Sequence, residues 1–260
     1  MIVDYHMHLR DSQERIAHTA DGVEPFVETA AARGIDEIGF TEHVYYFRQT
    51  RELWDLPYQT ERCVYDLDAY VDAVVEAKRR GLPVKLGLEV DYVGARQDEL
   101  AAILEPYPWD YLLGSVHWLD GLAVDSSPDA GVWAEWPVEQ VWRRYFDAIG
   151  ELAAGGHVDV LAHPDLAKIF GRRPERVEYP LLAGVALEIS TNGRYKPVGE
   201  LYPDLDLLLA ARLPITLASD AHVPENVGRD FELALDLARA AGYETVTVFD
   251  QRRPRQVPMG

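Results

Sequence analysis

The chain is poor in positive charge and in cysteine. Its 260 residues hold 25 lysines and arginines against 44 aspartates and glutamates, which gives a net charge of -19. Such an acidic chain repels nucleic acid and anionic membranes unless cations are concentrated locally. We therefore expect neither nucleic acid nor a membrane as a partner. The one cysteine, Cys63, excludes an internal disulfide and suits a reducing compartment.

Long apolar runs are also lacking. The first residues, MIVDYHMHLRD, carry charge where a signal peptide has its apolar region. No run approaches the roughly 18 apolar residues of a membrane helix, so we expect a soluble, cytoplasmic protein. Length and a hydrophobic content of 48% fit a single domain over residues 1–260. No repeat or apolar stripe marks an interface, so a monomer is the default expectation.

Short aliphatic runs alternate with segments of helical periodicity, the rhythm of seven or eight βα units. Gly34, Gly81 and Gly242 follow three of the helical segments, where a left-handed residue is expected. For residues 254–260 we expect an irregular tail. The predicted strands are 2–5, 35–41, 84–88, 111–116, 158–162, 185–189, 215–218 and 245–249, and the predicted helices are 23–33, 67–80, 97–104, 138–154, 174–182, 205–211 and 231–240.

Histidines and two acidic residues lie at, or just past, the ends of these apolar runs. In a closed parallel barrel all strand carboxyl ends face one side, which would gather these side chains. An open sheet would collect ligands from only a few strands, so we favour a barrel. Imidazole nitrogen and carboxylate oxygen are ligands of Zn, Fe and Mn sites. The residues so placed are His6, His8, His43, Glu89, His117, His163, Asp220 and His222.

The same motifs carry a resemblance that extends over essentially the whole chain. They are His6-x-His8, Thr41-Glu42-His43, Gly87-x-Glu89-x-Asp91, Ser115-Val116-His117, His163-Pro164-Asp165 and Ser219-Asp220-Ala221-His222. The chain resembles the PHP (polymerase and histidinol phosphatase) superfamily. The segments GLEVDY, YLLGSVHWLDG and STNGRYKPVGELYP resemble its histidinol-phosphate phosphatase branch. The resemblance implies a single-domain, distorted (β/α)7 TIM-like barrel with two to three divalent metal ions, Zn, Fe or Mn.

The resemblance also implies the ligands of each metal ion. The first ion would be held by His6, His8, Glu89 and Asp220. The second would be held by Glu89, His117 and His163, with Glu89 bridging the two ions. The third would take His43 and His222, completed by His18, whose distance from the HxH pair is longer than in the usual pattern. Asp11 is the alternative to His18.

The activity implied is hydrolysis of L-histidinol phosphate to L-histidinol and phosphate in histidine biosynthesis. A phosphate monoester dianion repels nucleophiles, and metal ions neutralise it and generate hydroxide near neutral pH. No motif for a covalent phosphoenzyme occurs in the chain. Metal-activated hydroxide is thus the expected nucleophile, with Glu89 fixing the metal pair. The proton donor stays open among Asp220, His222 and a water on the third metal.

Candidate substrate contacts come from charged residues in the loops. Arg194 and Lys168 are candidates for the phosphoryl oxygens, although the cationic stretch 168–176 is equally typical of a solvated loop. Glu42 or Asp91 would suit the amine and the imidazole. His157 begins a strand, so we expect a structural or surface role.

The long loop over residues 41–66 is a candidate cover for the site. A nucleotide phosphodiester and phosphotyrosine are alternative substrates for such a centre. The phosphodiester is disfavoured by the net charge of -19. Phosphotyrosine in a protein is a larger substrate and would require a wide opening to the active site. A catalytically silent metal-binding scaffold is disfavoured by the complete ligand set.

Overall fold

The computed structural model describes residues 1–11, 13, 15–16 and 18–260. Strands and helices alternate along most of this part of the chain. The strands are β1 Val3–Asp4, β2 Glu37–Phe40, β3 Val84–Leu86, β4 Glu89–Asp91, β5 Leu113–Ser115, β6 Trp118–Leu119, β7 Leu122–Ala123, β8 Val160–Leu161, β9 Ala186–Ser190, β10 Ile215–Ala218, β11 Thr245–Asp250 and β12 Arg253–Pro258. The α-helices are α1 Ala20–Ala32, α2 Pro57–Thr60, α3 Leu67–Arg79, α4 Gln97–Leu104, α5 Val132–Glu135, α6 Val138–Ala154, α7 Leu205–Ala211 and α8 Phe231–Ala240.

Two parallel sheets form the centre of the fold. One has the strand order β1-β2-β3, and the other has the order β10-β9-β8-β5-β4. Backbone contacts link the sheets at two places. The Tyr5 amide donates to the Leu217 carbonyl at 2.9 Å, and His43 pairs with Glu89 in a parallel bridge. The chain is thus a mixed α/β structure whose two parallel sheets are joined by one contact beside β1 and by another beyond the end of β2.

Local sequence signals explain several element boundaries. The apolar positions of α6 recur at three and four residues, and its observed bounds, 138–154, are the predicted ones. Helix α1 begins after Thr19, whose hydroxyl accepts from the Gly22 amide at 3.1 Å. The left-handed conformation predicted for glycines after helices is confirmed, with φ of +70° at Gly34 and +87° at Gly242.

The core allows little room beside the central strands. Tyr111 is fully buried, and its hydroxyl donates to the Tyr5 carbonyl at 2.7 Å. A Cβ atom at Gly39 in β2 would lie 2.0 Å from this hydroxyl oxygen. Only glycine fits this position without displacing Tyr111.

Two predictions about local structure are wrong. No helix covers 174–182, where the described chain is irregular. Pro180 falls inside the predicted helix, where it lacks the N–H of a helical hydrogen bond and disfavours the helical region in the residue before it. The predicted irregular tail is strand β12, which pairs antiparallel with β11. Strand β11 therefore does not extend either parallel sheet. The described helices include none that combines the length and apolar character needed to cross a membrane.

Candidate metal centre

Strand ends bring the predicted ligands together. His6 and His8 follow β1 two residues apart, a spacing that points both side chains the same way in extended chain. Two other ligand candidates have left-handed backbones, His163 with φ +29° and Asp220 with φ +49°. Non-glycine residues in this region carry backbone strain, which concentrates at functional sites.

Glu89, at the start of β4, lies at the centre of the cluster. Its carboxylate is fully buried, and five imidazoles surround it. From Oε2 the nearest nitrogens are at 3.5 Å for His6, 3.8 Å for His8 and 2.6 Å for His43. From Oε1 they are at 3.5 Å for His117 and 3.1 Å for His163.

Among the described residues, the candidate ligand atoms form four overlapping groups. Within each group, all ligand atoms lie within 4.8 Å of one another. Asp220 adds its Oδ1 at 3.7 Å from His6 Nε2 and 3.3 Å from His8 Nε2. The groups are His6, His8 and Glu89; Glu89, His117 and His163; His8, His43 and His222; and His43, Asp91 and His117.

The donor set fits divalent metal ions. His6 Nε2, His8 Nε2 and Glu89 Oε2 are buried and have no hydrogen-bond partner among the described residues. Their separations of 3.5 and 3.8 Å are too long for hydrogen bonds. Two ligand atoms each about 2.1 Å from one ion stand about 3.4 Å apart at tetrahedral angles. Buried polar atoms normally have a hydrogen-bond partner. A metal ion coordinated by these three atoms would supply the interaction that they lack.

Buried carboxylates orient the ring nitrogens that face away from the centre. Glu188 Oε2 lies 2.8 Å from His6 Nδ1, and Glu188 Oε1 accepts from the His163 amide at 3.2 Å. Asp91 Oδ1 lies 2.6 Å from His117 Nδ1. Such partners fix the ring orientation and the tautomer of metal-binding histidines. Sequence reasoning did not identify Glu188 as a functional residue.

Glu42 and Asp91, predicted as contacts for the substrate, face histidines instead. Glu42 is fully buried and accepts from the Leu9 amide at 2.7 Å. Its Oε2 lies 3.5 Å from His8 Nδ1, and its Oε1 lies 3.5 Å from His18 Nε2. Both carboxylates therefore support imidazoles rather than line an open surface.

The electrostatics keep two carboxylates ionised. Burial alone would raise the pKa of Glu89, but the charges of His43 and His6 outweigh it and hold that pKa well below its usual range. Burial likewise opposes ionisation of Asp220, whose pKa is held well below the usual range by the charges of His6, His222 and His8. A buried site with ionised carboxylates attracts positive charge, whether protons or metal ions.

The histidines of the cluster differ in basicity. Burial and the charge of His8 lower the pKa of His222 to about 3. Burial also opposes protonation of His117, but the charges of Asp91 and Glu89 raise its pKa to about 10. His222 thus presents an uncharged imidazole, while His117 lies where a cationic charge is favoured.

Three predicted site residues lie away from the four groups. His18 lies against Glu42 and, in the described part of the chain, joins none of the metal-holding groups. Lys168 is fully buried with its ammonium 2.7 Å from Asp165 Oδ2, so it is not available to substrate. Arg194 has a half-exposed side chain, donates to the Gly199 carbonyl at 3.2 Å and is not among the residues that line the cavity at the metal cluster.

The remaining predictions concern residues farther from the centre. His157 pairs with Asp98 at 2.8 Å on the surface, as expected for a structural or surface residue. Asp11, the alternative to His18, is bonded to Arg15. The loop over 41–66 contains short helical turns, and its Trp54 is buried, with the indole N–H donating to Thr50 at 2.9 Å.

A cavity of about 790 Å³ opens onto the cluster. The candidate ligands His43, His117 and His222 form part of its wall. The wall also includes Arg10, Tyr45, Tyr46, Tyr58, Arg62, Trp118 and Asp125.

A polar chain supports Asp220 on the side away from the histidines. The Asn192 amide donates to Asp220 Oδ2, and Arg229 donates to Asn192 Oδ1 at 2.6 Å. The Arg229 guanidinium also lies 3.7 Å from the centroid of the Tyr195 ring. Asn192 and Arg229 were missed from the sequence, because their approach to Asp220 depends on loop positions that no local pattern specifies.

Comparisons with known proteins agree with this arrangement. The PHP domain family matches residues 4–194 of the chain. A probable histidinol-phosphatase of Deinococcus radiodurans is 30% identical over 256 residues, covering 95% of this chain and 96% of that protein. A probable histidinol-phosphatase of Schizosaccharomyces pombe is 25% identical over 280 residues, covering 96% of this chain and 90% of that protein.

One solved structure shares the fold over nearly the full length. It is a histidinol phosphate phosphatase from Lactococcus lactis subsp. lactis, complexed with zinc, L-histidinol and phosphate. The TM-score is 0.68 at 21% sequence identity, and the match covers 98% of each chain.

Proposed function

The chain belongs to the PHP domain family, and we propose that it is a metal-dependent phosphomonoesterase that hydrolyses L-histidinol phosphate to L-histidinol and phosphate. The observation that carries the proposal is one buried carboxylate, Glu89, surrounded by five imidazoles, of which those of His43 and His117 line a cavity. The relatives named histidinol-phosphatase span nearly the whole chain and so support this substrate. The enzyme would then serve histidine biosynthesis as a cytoplasmic protein.

We further propose that the chain forms one domain, residues 1–260, with the architecture of a distorted (β/α)7 barrel. Strands β3 and β4 would act as one interrupted strand. The contact of Tyr5 with Leu217 and the bridge of His43 with Glu89 support closure between the two parallel sheets. In such a barrel the candidate ligands share the catalytic face.

Two to three divalent ions, Zn, Fe or Mn, are the cofactors that this donor set suits. One position would use His6, His8, Glu89 and Asp220, a second Glu89, His117 and His163, and a third His43 and His222. When bound, such ions neutralise the phosphoryl charge and generate a hydroxide nucleophile at neutral pH. The third position has no contribution from His18 among the described contacts, so two ions are the minimum that the geometry supports.

The protein's own groups would handle protons and position the reactants. Asp220 Oδ1 lies 3.5 Å from His222 Nδ1 at the edge of the cluster. We assign to this pair the removal of a proton from the attacking water and the delivery of a proton to the leaving oxygen. Glu89 holds the imidazoles at fixed separations, and Glu188 keeps His6 oriented toward Glu89.

The cavity offers matching chemistry for the rest of the substrate. Tyr45, Tyr58 and Trp118 line it with ring centroids 5.2 to 6.0 Å apart, a surface suited to an imidazole ring. Asp125 is exposed and lines the same cavity without a hydrogen bond or ion pair to another described residue. Its carboxylate is a suitable partner for the substrate ammonium. A volume of about 790 Å³ suits a small metabolite.

The direct test is reconstitution of the enzyme. Protein stripped by a chelator should release no phosphate from L-histidinol phosphate, and stepwise addition of Mn or Zn should restore the activity. A phosphodiester assayed in parallel should react more slowly than the monoester. Faster hydrolysis of the diester would refute the proposed substrate class, and activity without metal would refute the proposed centre.

A further inference from the structure

Arg10 brings a positive charge to the metal cavity. It follows His8 by two residues and lines the cavity together with His43, His117 and His222. Arg10 therefore shares a cavity wall with three of the candidate ligands.

The Arg10 guanidinium has free hydrogen-bonding capacity. One nitrogen, Nη2, donates to the Tyr46 hydroxyl at 2.7 Å. The Nε atom is buried and has no hydrogen-bond partner among the described residues. Among the described residues no carboxylate is recorded in an ion pair with the Arg10 guanidinium, although the protein has 44 acidic residues. A partly buried arginine without an acid partner is free to bind an anionic ligand.

We propose that Arg10 binds the phosphoryl group of the substrate. This inference rests on the proposed function and deepens it by naming the protein donor to the phosphoryl oxygens. The planar guanidinium presents paired N–H donors that match phosphate oxygens. Tyr46 is the positioning residue, because its hydroxyl fixes one end of the guanidinium and leaves the other donors for the ligand.

Other cations are less well placed for this role. The Lys168 ammonium is committed to Asp165. Arg62 lies over the Tyr58 ring at 3.6 Å from the centroid and donates to the Tyr58 carbonyl at 2.9 Å. Arg194 donates to Gly199 and is not part of the cavity wall.

The experiment compares Arg10→Gln and Arg10→Lys with wild type. Arg253→Gln on the exposed face of β12 is the matched control. Inorganic phosphate binding to Mn-loaded protein is measured by calorimetry, metal content by elemental analysis, and kcat/KM with both L-histidinol phosphate and a generic aryl phosphate. Charge-assisted hydrogen bonds of this kind correspond to roughly a tenfold to hundredfold change in affinity.

We expect Arg10→Gln to weaken phosphate binding by about tenfold to hundredfold and to lower kcat/KM for both esters alike. The metal content of Arg10→Gln should stay at the wild-type value. The phosphate affinity and kcat/KM of Arg10→Lys should lie between those of wild type and Arg10→Gln, and those of Arg253→Gln should match wild type. Unchanged phosphate binding in Arg10→Gln overturns the inference, as does metal loss in both Arg10 variants. A loss of phosphate binding in Arg194→Gln with none in Arg10→Gln would assign the role to Arg194.

Failure of the proposed function gives a different pattern. Wild-type protein would then bind inorganic phosphate and cleave the generic ester but would not prefer L-histidinol phosphate. The effect of the Arg10 variants on phosphate binding does not depend on that outcome, because inorganic phosphate lacks the amino-alcohol part of the substrate.

Discussion

Replacement of Glu188 by glutamine tests whether a carboxylate behind the cluster controls metal affinity. Both Glu188 oxygens accept hydrogen bonds, Oε2 from His6 Nδ1 at 2.8 Å and Oε1 from the His163 amide at 3.2 Å. A glutamine has one acceptor oxygen, so its amide NH₂ must face one of these two donors. Glu188→Gln therefore leaves a buried donor without an acceptor and loosens the orientation of a proposed ligand.

The expected magnitude follows from these contacts. An unsatisfied buried donor costs about 1–3 kcal/mol of folding stability. Loss of a carboxylate partner behind a metal-binding histidine costs about 10- to 100-fold in metal affinity or activity, which is roughly 1.4–2.7 kcal/mol. Both effects should appear in Glu188→Gln.

The assay is metal titration against a buffered chelator, with denaturant unfolding of the metal-free protein in parallel. The matched control is Glu151→Gln, because Glu151 is exposed and its side chain bonds only to Tyr92 among the described residues. Wild-type metal affinity in Glu188→Gln, with wild-type folding, would refute the assignment of His6 as an oriented ligand.

Three further substitutions test separate parts of the structure. His117→Ala removes the imidazole 3.5 Å from Glu89 Oε1 and should lower metal content and reduce phosphate release by about 100-fold or more; full activity with full metal content would show that His117 is misassigned. Asp125→Asn should raise KM for L-histidinol phosphate about tenfold and leave KM for an ester without an amine unchanged, and equal changes for both would argue against contact with the ammonium. Gly39→Ala places a methyl group 2.0 Å from the Tyr111 hydroxyl and should cost about 1–3 kcal/mol of stability in denaturant unfolding, an expectation that an unchanged midpoint contradicts.

Helices and strands that are marked by a local residue pattern could be predicted from the sequence. Helix α6 could be bounded correctly because its apolar positions repeat over 17 residues. The strand-end histidines could be grouped because parallel strands place their carboxyl ends together, and the contacts of His6, His8 and His163 with Glu89 agree with that reasoning. The strand 245–249 was also recognised, but its antiparallel partner was not, since pairing depends on which edge remains free.

Residues that act through tertiary contacts were harder to predict. Glu188 lies within β9, a strand buried along its whole length. An acidic residue in such a strand is a usable signal, because a buried charge requires a partner. Arg10 and Asp125 gave no such signal, since they reach the cavity only through loop geometry. His18 was expected at the cluster, yet its imidazole lies against Glu42.

The most direct test is the ratio of kcat/KM for L-histidinol phosphate to that for a generic phosphate monoester, measured on protein loaded with Mn or Zn. Recognition of the amine and imidazole by the cavity predicts a preference of about a hundredfold or more, equivalent to roughly 2.7 kcal/mol of differential transition-state binding. Equal, slow rates on both esters would contradict the assigned substrate while leaving a metal-dependent phosphoesterase.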